Sequence, residues 1–151
     1  MPKPDVFLDS SALIAGIVSE HGAARALLQL GEAEHIFLTV SEQVIAEVER
    51  NLARKAPKAL PFAREMIIRA NVRIRRDPSP TAVSEHLDWI SHAADVPILV
   101  AARQAKVDYL ATLNTRHFLK DPGVSQRSGL RLGTPGDALA WVREKLGRED
   151  A

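Results

Sequence analysis

Apolar residues along this chain fall into short unbroken runs, separated by stretches with helical spacing. Val6, Phe7 and Leu8 form the first run and end at Asp9. A strand exposed on one face would alternate, so this run predicts a strand buried on both. Leu13, Ile14, Ile17 and Val18 then recur at helix spacing, with Ser10 and Ser11 as candidate N-caps. His21 and Gly22 interrupt the pattern before a second helix through Ala24, Leu27, Leu28 and Leu30. Residues 36–40 predict strand two, and Ser41 opens a helix with Val44, Ile45, Val48 and Leu52 on one face. Ala56 and Pro57 stop it. Residues 60–70 read as helix and 72–75 as a short alternating edge strand. Asp77, Pro78, Ser79 and Pro80 make a turn, and a helix is predicted over 82–92.

Residues 95–118 organise the rest. Asp95 stands where a helix cap or first-turn acid would, Pro97 is placed where a missing N–H costs nothing, and Ile98, Leu99, Ala102 and Ala105 keep helix spacing. A short strand follows over 109–112, then the polar group Asn114, Thr115, Arg116 and His117, closed by Phe118. A last strand is predicted over 130–132. Thr134, Pro135, Gly136 and Asp137 start a final helix through Leu139, Ala140, Trp141, Val142 and Leu146. Alternation of this kind predicts an α/β fold: a three-layer α/β/α sandwich around a five-stranded, mostly parallel sheet. Strand carboxyl ends and helix starts share one edge of such a sheet, and ligands bind along it.

Composition narrows the class without naming a ligand. The 151 residues suit a single domain over 1–151, and 46% hydrophobic with 26% charged content is ordinary for a globular protein. Net charge is +1, from 20 basic and 19 acidic residues, so overall charge selects no partner. There is no cysteine, which excludes disulfides, thiolate metal sites and a Cys nucleophile. No run reaches membrane-spanning length and the N-terminus lacks a signal-peptide apolar region, so a soluble, cytoplasmic protein is expected.

The chemistry lies in the acids. Asp9 ends strand one, Glu47 lies about two turns into the helix after strand two, and Asp95 starts the helix before strand four; Asn114 follows strand four. Three carboxylates and an amide facing one edge would repel each other without a cation between them. Hard oxygen donors of this kind suit Mg²⁺ or Mn²⁺, which can activate a water and stabilise a phosphorane-like transition state.

In these residues the chain resembles the PIN domain family. VFLDSSALIA resembles the family's first strand with its leading aspartate, SEQVIAEVERNL the helix bearing its glutamate, and the run from Asp95 through TLNTRHF its last block. The likeness spans nearly the whole chain with all blocks in order. It implies strand order 3-2-1-4-5, metal-dependent endoribonuclease activity on RNA, frequent homodimers, and often a role as toxin beside an antitoxin protein. Carried over residue by residue, the metal acids are Asp9, Glu47 and Asp95. The fourth position, commonly aspartate, is Asn114 here, which keeps an oxygen ligand and removes a charge.

Ser11 and Thr112 are expected to hydrogen-bond the acids, and His117 to act as base, phosphate contact or cap. Asp88 is a rival to Asp95, and Asn114 has an alternative role as a turn residue. His21, His35, His86 and His92 show no metal spacing with one another. Between Glu47 and Arg76 nine basic residues stand against three acids, so Arg73, Arg75 and Arg76 are expected RNA contacts, with a solvated helix face as the alternative. A catalytically weak RNA- or antitoxin-binding module is the second functional expectation. Aspartyl-phosphate enzymes generally want D-x-D, whereas Asp9 is followed by Ser10 and Ser11; nucleotide-binding readings lack a Gly-rich phosphate loop.

Overall fold

The first apolar run folds as strand β1 (Asp5–Leu8), buried along its whole length. In the computed structural model, which describes residues 2–150, it is followed by helices α1 (Ser10–Val18) and α2 (Ala23–Glu32). Strand β2 (Phe37–Ser41) leads directly into α3 (Glu42–Lys55), with Ser41 accepting the Val44 N–H as N-cap. Helix α4 (Leu60–Arg69) and strand β3 (Arg73–Arg75) complete this half. The second half contains α5 (Pro80–Ser84), α6 (Val96–Gln104) and β4 (Tyr109–Ala111). After β4 come a π-turn at Thr115–Leu119, then α7 (Gly123–Ser128), β5 (Leu132–Gly133) and α8 (Pro135–Asp150).

The strands lie in the order β3-β2-β1-β4-β5, all parallel. Helices cover both faces, as parallel crossovers require: α1 packs on α2, α3 and α4, while α6 packs on α5 and α7. The core runs through β1, β4 and the helices that flank them. Leu13, Leu27, Leu99 and Leu110 are fully enclosed there, and each such side chain contributes about 1.5–3 kcal/mol relative to exposure. Among the described residues no helix is long and apolar enough to cross a membrane.

Two elements differ from the sequence expectation. The helix expected over 82–92 is only Pro80–Ser84, because Ser79 caps it and Pro80 starts it early. Turn bonds from His86 N–H to Val83 C=O and from Trp89 N–H to His86 C=O then replace the helical ladder. The last strand falls at Leu132–Gly133, not 130–132, since Gly133 pairs with Ala111 where a Cβ would overlap the Tyr109 hydroxyl. Helix α7 has no apolar periodicity, and the sequence alone leaves this stretch between the last two strands as helix or loop. It ends on Gly129 in the left-handed region at φ +72°, where glycine alone is unstrained.

Candidate active site

Because every strand is parallel, the carboxyl ends of β1 and β4 meet on one edge, and there the chain places Asp9 against Thr112. Asp9 is the N-cap of α1: its Oδ1 accepts the Ala12 N–H at 2.9 Å and the Ser11 hydroxyl at 2.6 Å. Asp9 therefore does the capping expected of Ser10 or Ser11, since it is the last extended residue before the helix. The Thr112 hydroxyl donates to Asp9 Oδ2 and accepts the Asn114 N–H at 2.9 Å. Ser11 Oγ in turn accepts the Leu113 N–H at 3.0 Å. Ser11 and Thr112 thus tie the end of β1 to the end of β4 through the Asp9 carboxylate, leaving it one fixed orientation.

Asp95 occupies the N-cap position of α6 but caps nothing. Its carboxylate is buried and turned to the π-turn, where Oδ2 lies 2.9 Å from His117 Nδ1. Asp95 is the last residue of a 3₁₀ turn, Ala93–Asp95, that runs straight into α6, so its helical backbone leaves the side chain free of the capping role. Asn114 caps the π-turn by accepting the His117 N–H at 3.2 Å, and its Nδ2 lies 3.0 Å from His117 Nδ1. One ring nitrogen cannot donate to Asp95 and accept from Asn114 together. The neutral tautomer that serves the carboxylate carries its proton on Nδ1 and leaves Nε2 as a free acceptor. The π-turn itself, with Lys120 N–H bonded to Thr115 C=O at 2.8 Å, is a rare conformation concentrated at functional sites.

Glu47 completes the set from α3. Its Oε1 is buried and has no hydrogen-bond partner among the described residues. A buried carboxylate oxygen without a donor is costly unless a cation takes that role. The electrostatics agree. Burial pushes the Asp9 carboxyl above its ordinary range, against lowering by Ser11, Thr112 and Ala12, and the Asp95 charge adds to the rise. Burial also raises Glu47, followed by the charges of Asp95 and Asp9. Burial raises Asp95 as well, with His117 and His92 opposing it. The three carboxylates feel one another, and the donor set of hard oxygens fits a divalent cation. Asp88, the rival acid, is exposed in a turn.

The sequence missed two features. His92, just before the short 3₁₀ turn Ala93–Asp95, stacks on His117 with ring centroids 4.1 Å apart; no local spacing links residues so distant along the chain. The second is Asp5, at the opposite end of β1 from Asp9. It accepts from Thr39 Oγ1 at 2.7 Å and pairs with Arg73 at 2.7 Å, and the Arg73 guanidinium lies 4.1 Å over the Phe37 ring. Arg73 is therefore held within the sheet and is not the free RNA contact expected of it. Arg75 and Arg76 are exposed, with Arg75 opposite Ser41 at the carboxyl end of β2.

Residues 5–116 match a family model described as the PIN domain. No curated protein matches the chain. Solved structures with this fold include PAE2754 from Pyrobaculum aerophilum, at 15% identity and TM-score 0.64, covering 93% of this chain and 96% of that one. VapBC2 from Rickettsia felis, bound to a DNA fragment from its promoter, aligns at 17% identity and TM-score 0.64 over 86% of this chain and 98% of that one. VapC20 from Mycobacterium tuberculosis, a sarcin–ricin loop cleaving toxin, aligns at 14% identity and TM-score 0.55, over 73% and 90%. At these identities the structures speak for the fold, and the family model, which spans most of the sequence and includes Asp9, Glu47, Asp95 and Asn114, speaks for descent: the chain belongs to the PIN domain family.

Proposed function

We propose that this protein is a divalent-metal-dependent endoribonuclease and the toxin of a toxin–antitoxin pair. The observation that carries the reading is the convergence of Asp9, Glu47 and Asp95, with Glu47 Oε1 buried and without a hydrogen-bond partner among the described residues. Asp9, Glu47 and Asp95 would hold Mg²⁺ or Mn²⁺, with Asn114 beside them. Bound there, the ion supplies a Lewis acid that lowers the pKa of a water and neutralises phosphate charge. Ser11 and Thr112 fix the Asp9 carboxylate, and His117 fixes that of Asp95. The buried acids would repel RNA phosphates on their own, so the surface beside them has to supply positive charge.

That charge flanks the acids on two sides. Arg50 and Arg54 line a cleft with Ser10 and Glu47. Arg116 and Lys120 line a second cleft, of about 390 Å³, with His92 and His117. None of these four cations is paired with a carboxylate among the described residues, whereas Arg64, Arg69, Arg73, Arg127 and Arg148 all are. An RNA strand passing from one cleft to the other would cross the acids. This path keeps Arg50 and Arg54 of the basic run, with Arg75 and Arg76 at its margin, and leaves out Arg73, which is paired with Asp5. The toxin assignment rests on family membership and on the likeness to VapC20 and VapBC2. A weakly catalytic binding module is the second reading, favoured by Asn114, whose amide oxygen is already accepting the His117 N–H.

Incubation of a labelled single-stranded RNA with the purified protein tests the proposal. Cleavage is expected with Mg²⁺ or Mn²⁺ and not with EDTA. Cleavage that persists in EDTA would overturn the metal dependence, and binding without cleavage in either ion would select the second reading.

A further inference from the structure

We infer that His92, His117 and Asp95 form a second site, sharing Asp95 with the acid cluster, for a borderline transition-metal ion of the Zn²⁺ and Co²⁺ class. Each of the three offers one ligand atom, and these atoms lie within 4.8 Å of one another. The trio comes from two parts of the chain that the fold brings together: the loop and 3₁₀ turn before α6, and the π-turn after β4. It stands on these side chains and does not depend on the RNA-cleaving reading.

The donor chemistry distinguishes this site from the acid cluster. Two imidazoles and one carboxylate are the ligand set of Zn²⁺, Co²⁺ and Ni²⁺, which take nitrogen readily. Mg²⁺ relies on charge and oxygen, and here only one of the three ligand atoms is a carboxylate oxygen, while Arg116, Lys120 and the Arg127-paired Asp121 line the cleft beside the two histidines. Those cations oppose a bare dication but favour an anion at its open position. A three-ligand ion with a vacant fourth place facing this cleft is therefore suited to bind a phosphate oxygen.

The geometry needs one adjustment. The His92 and His117 rings are stacked with 25° between their planes, so an ion in the plane of both requires one ring to turn. His92 is the ring free to do so. Its side chain is exposed, stands in irregular backbone, and has no hydrogen-bond partner among the described residues. His117 is set by the π-turn and supplies the fixed half of the site, the ion taking the place of the proton that its Nδ1 shares with Asp95. Asp95 belongs to both this trio and the acid cluster, so a transition ion here withdraws a charge from Asp9 and Glu47. Zn²⁺ is thus expected to weaken Mg²⁺ binding.

Calorimetric titration with Zn²⁺, and Co²⁺ titration read by visible absorption, test the site directly. The wild-type protein is expected to take one ion with nitrogen ligation. His92→Ala, which removes an exposed side chain, should weaken that binding tenfold or more and leave Mg²⁺ binding and circular dichroism unchanged. His117→Gln should weaken it at least as much, while Glu47→Gln retains it. Zn²⁺ affinity unaltered by His92→Ala, or lost in Glu47→Gln but kept in His92→Ala, would overturn the inference by placing the ion among the acids. Failure of the protein to cleave RNA would leave the Zn²⁺ result standing, so the two readings fail separately.

Discussion

Replacing Asp9 by Asn changes charge at nearly constant volume, and the structure fixes what should follow. Asn caps helices as well as Asp does, so its Oδ1 still accepts from Ala12 and Ser11. At the other position an NH₂ group meets Thr112, whose hydroxyl must stop donating and only accept, as it already does from Asn114. The hydroxyl proton left without a partner costs about 1 kcal/mol. Against this, burial and the Asp95 charge hold the Asp9 carboxyl above its ordinary range, and Asp9 in turn raises Glu47. Two unit charges about 5 Å apart at an effective dielectric of about 20 repel by about 3 kcal/mol. The metal-free variant should therefore be more stable than wild type at neutral pH by about 1–2 kcal/mol. For a chain of this size that raises Tm by roughly 2–8 °C.

The pH dependence follows from the sign of the shift. An acid whose folded pKa is raised is protonated in both states below the unfolded value, about pH 4, and weakens the fold as pH climbs through the folded value. The gap between variant and wild type should close near pH 4 and open toward neutrality. Mg²⁺ at about ten times its Kd adds about 1.4 kcal/mol to wild type and should cancel or reverse the order. Thermal unfolding by circular dichroism, in EDTA and in Mg²⁺ across that range, reads all of this. A natively folded variant that is less stable than wild type in EDTA at neutral pH would refute the reasoning, because Asp9 would then be a structural acid and not one of a strained set.

Other consequences can be measured separately. Asn114→Asp keeps the π-turn cap and adds a fourth charge, so Mg²⁺ should bind about tenfold more tightly, about 1.4 kcal/mol; unchanged affinity by calorimetry would make Asn114 a turn residue only. Arg73→Ala should lower stability by about 1.5–3 kcal/mol in urea unfolding, since it strips a charged hydrogen bond from buried Asp5. The salt slope of RNA binding should be unmoved by that change, whereas Arg50→Ala with Arg54→Ala, or Arg116→Ala with Lys120→Ala, should each flatten it by about 1.4, two single-strand phosphate contacts' worth. A flattened slope in Arg73→Ala and none in the paired variants would return the RNA path to β3.

What the sequence revealed of this site depends on how local each signal is. Asp9 is legible because a short, fully apolar run of this length reads as a buried strand, and the polar residue that ends it then lies at the sheet edge. Asp95 is legible as a helix start before Pro97, but its preference over Asp88 comes from the family resemblance, whose last block falls there. His92 and His117 were not legible as a pair: their rings meet only because a π-turn follows β4 and a 3₁₀ turn precedes α6, and neither conformation has a periodic signature. Arg73 misled because a basic run reads alike whether its charges are free or paired, and its partner Asp5 lies 68 residues away. The short α5 shows the same limit, since residues 85–92 keep helix-compatible spacing while turn bonds decide their conformation.

The central claim is that Asp9, Glu47 and Asp95 act together through one divalent ion on RNA. Single-turnover cleavage of one RNA by wild type, Asp9→Asn, Glu47→Gln and Asp95→Asn, each titrated with Mg²⁺, tests it most directly. Metal-dependent cleavage by wild type, falling by orders of magnitude in all three variants while their circular dichroism stays native, is the predicted result. Wild-type rates retained by any one of the three at any Mg²⁺ concentration would place that carboxylate outside the reaction and contradict the account.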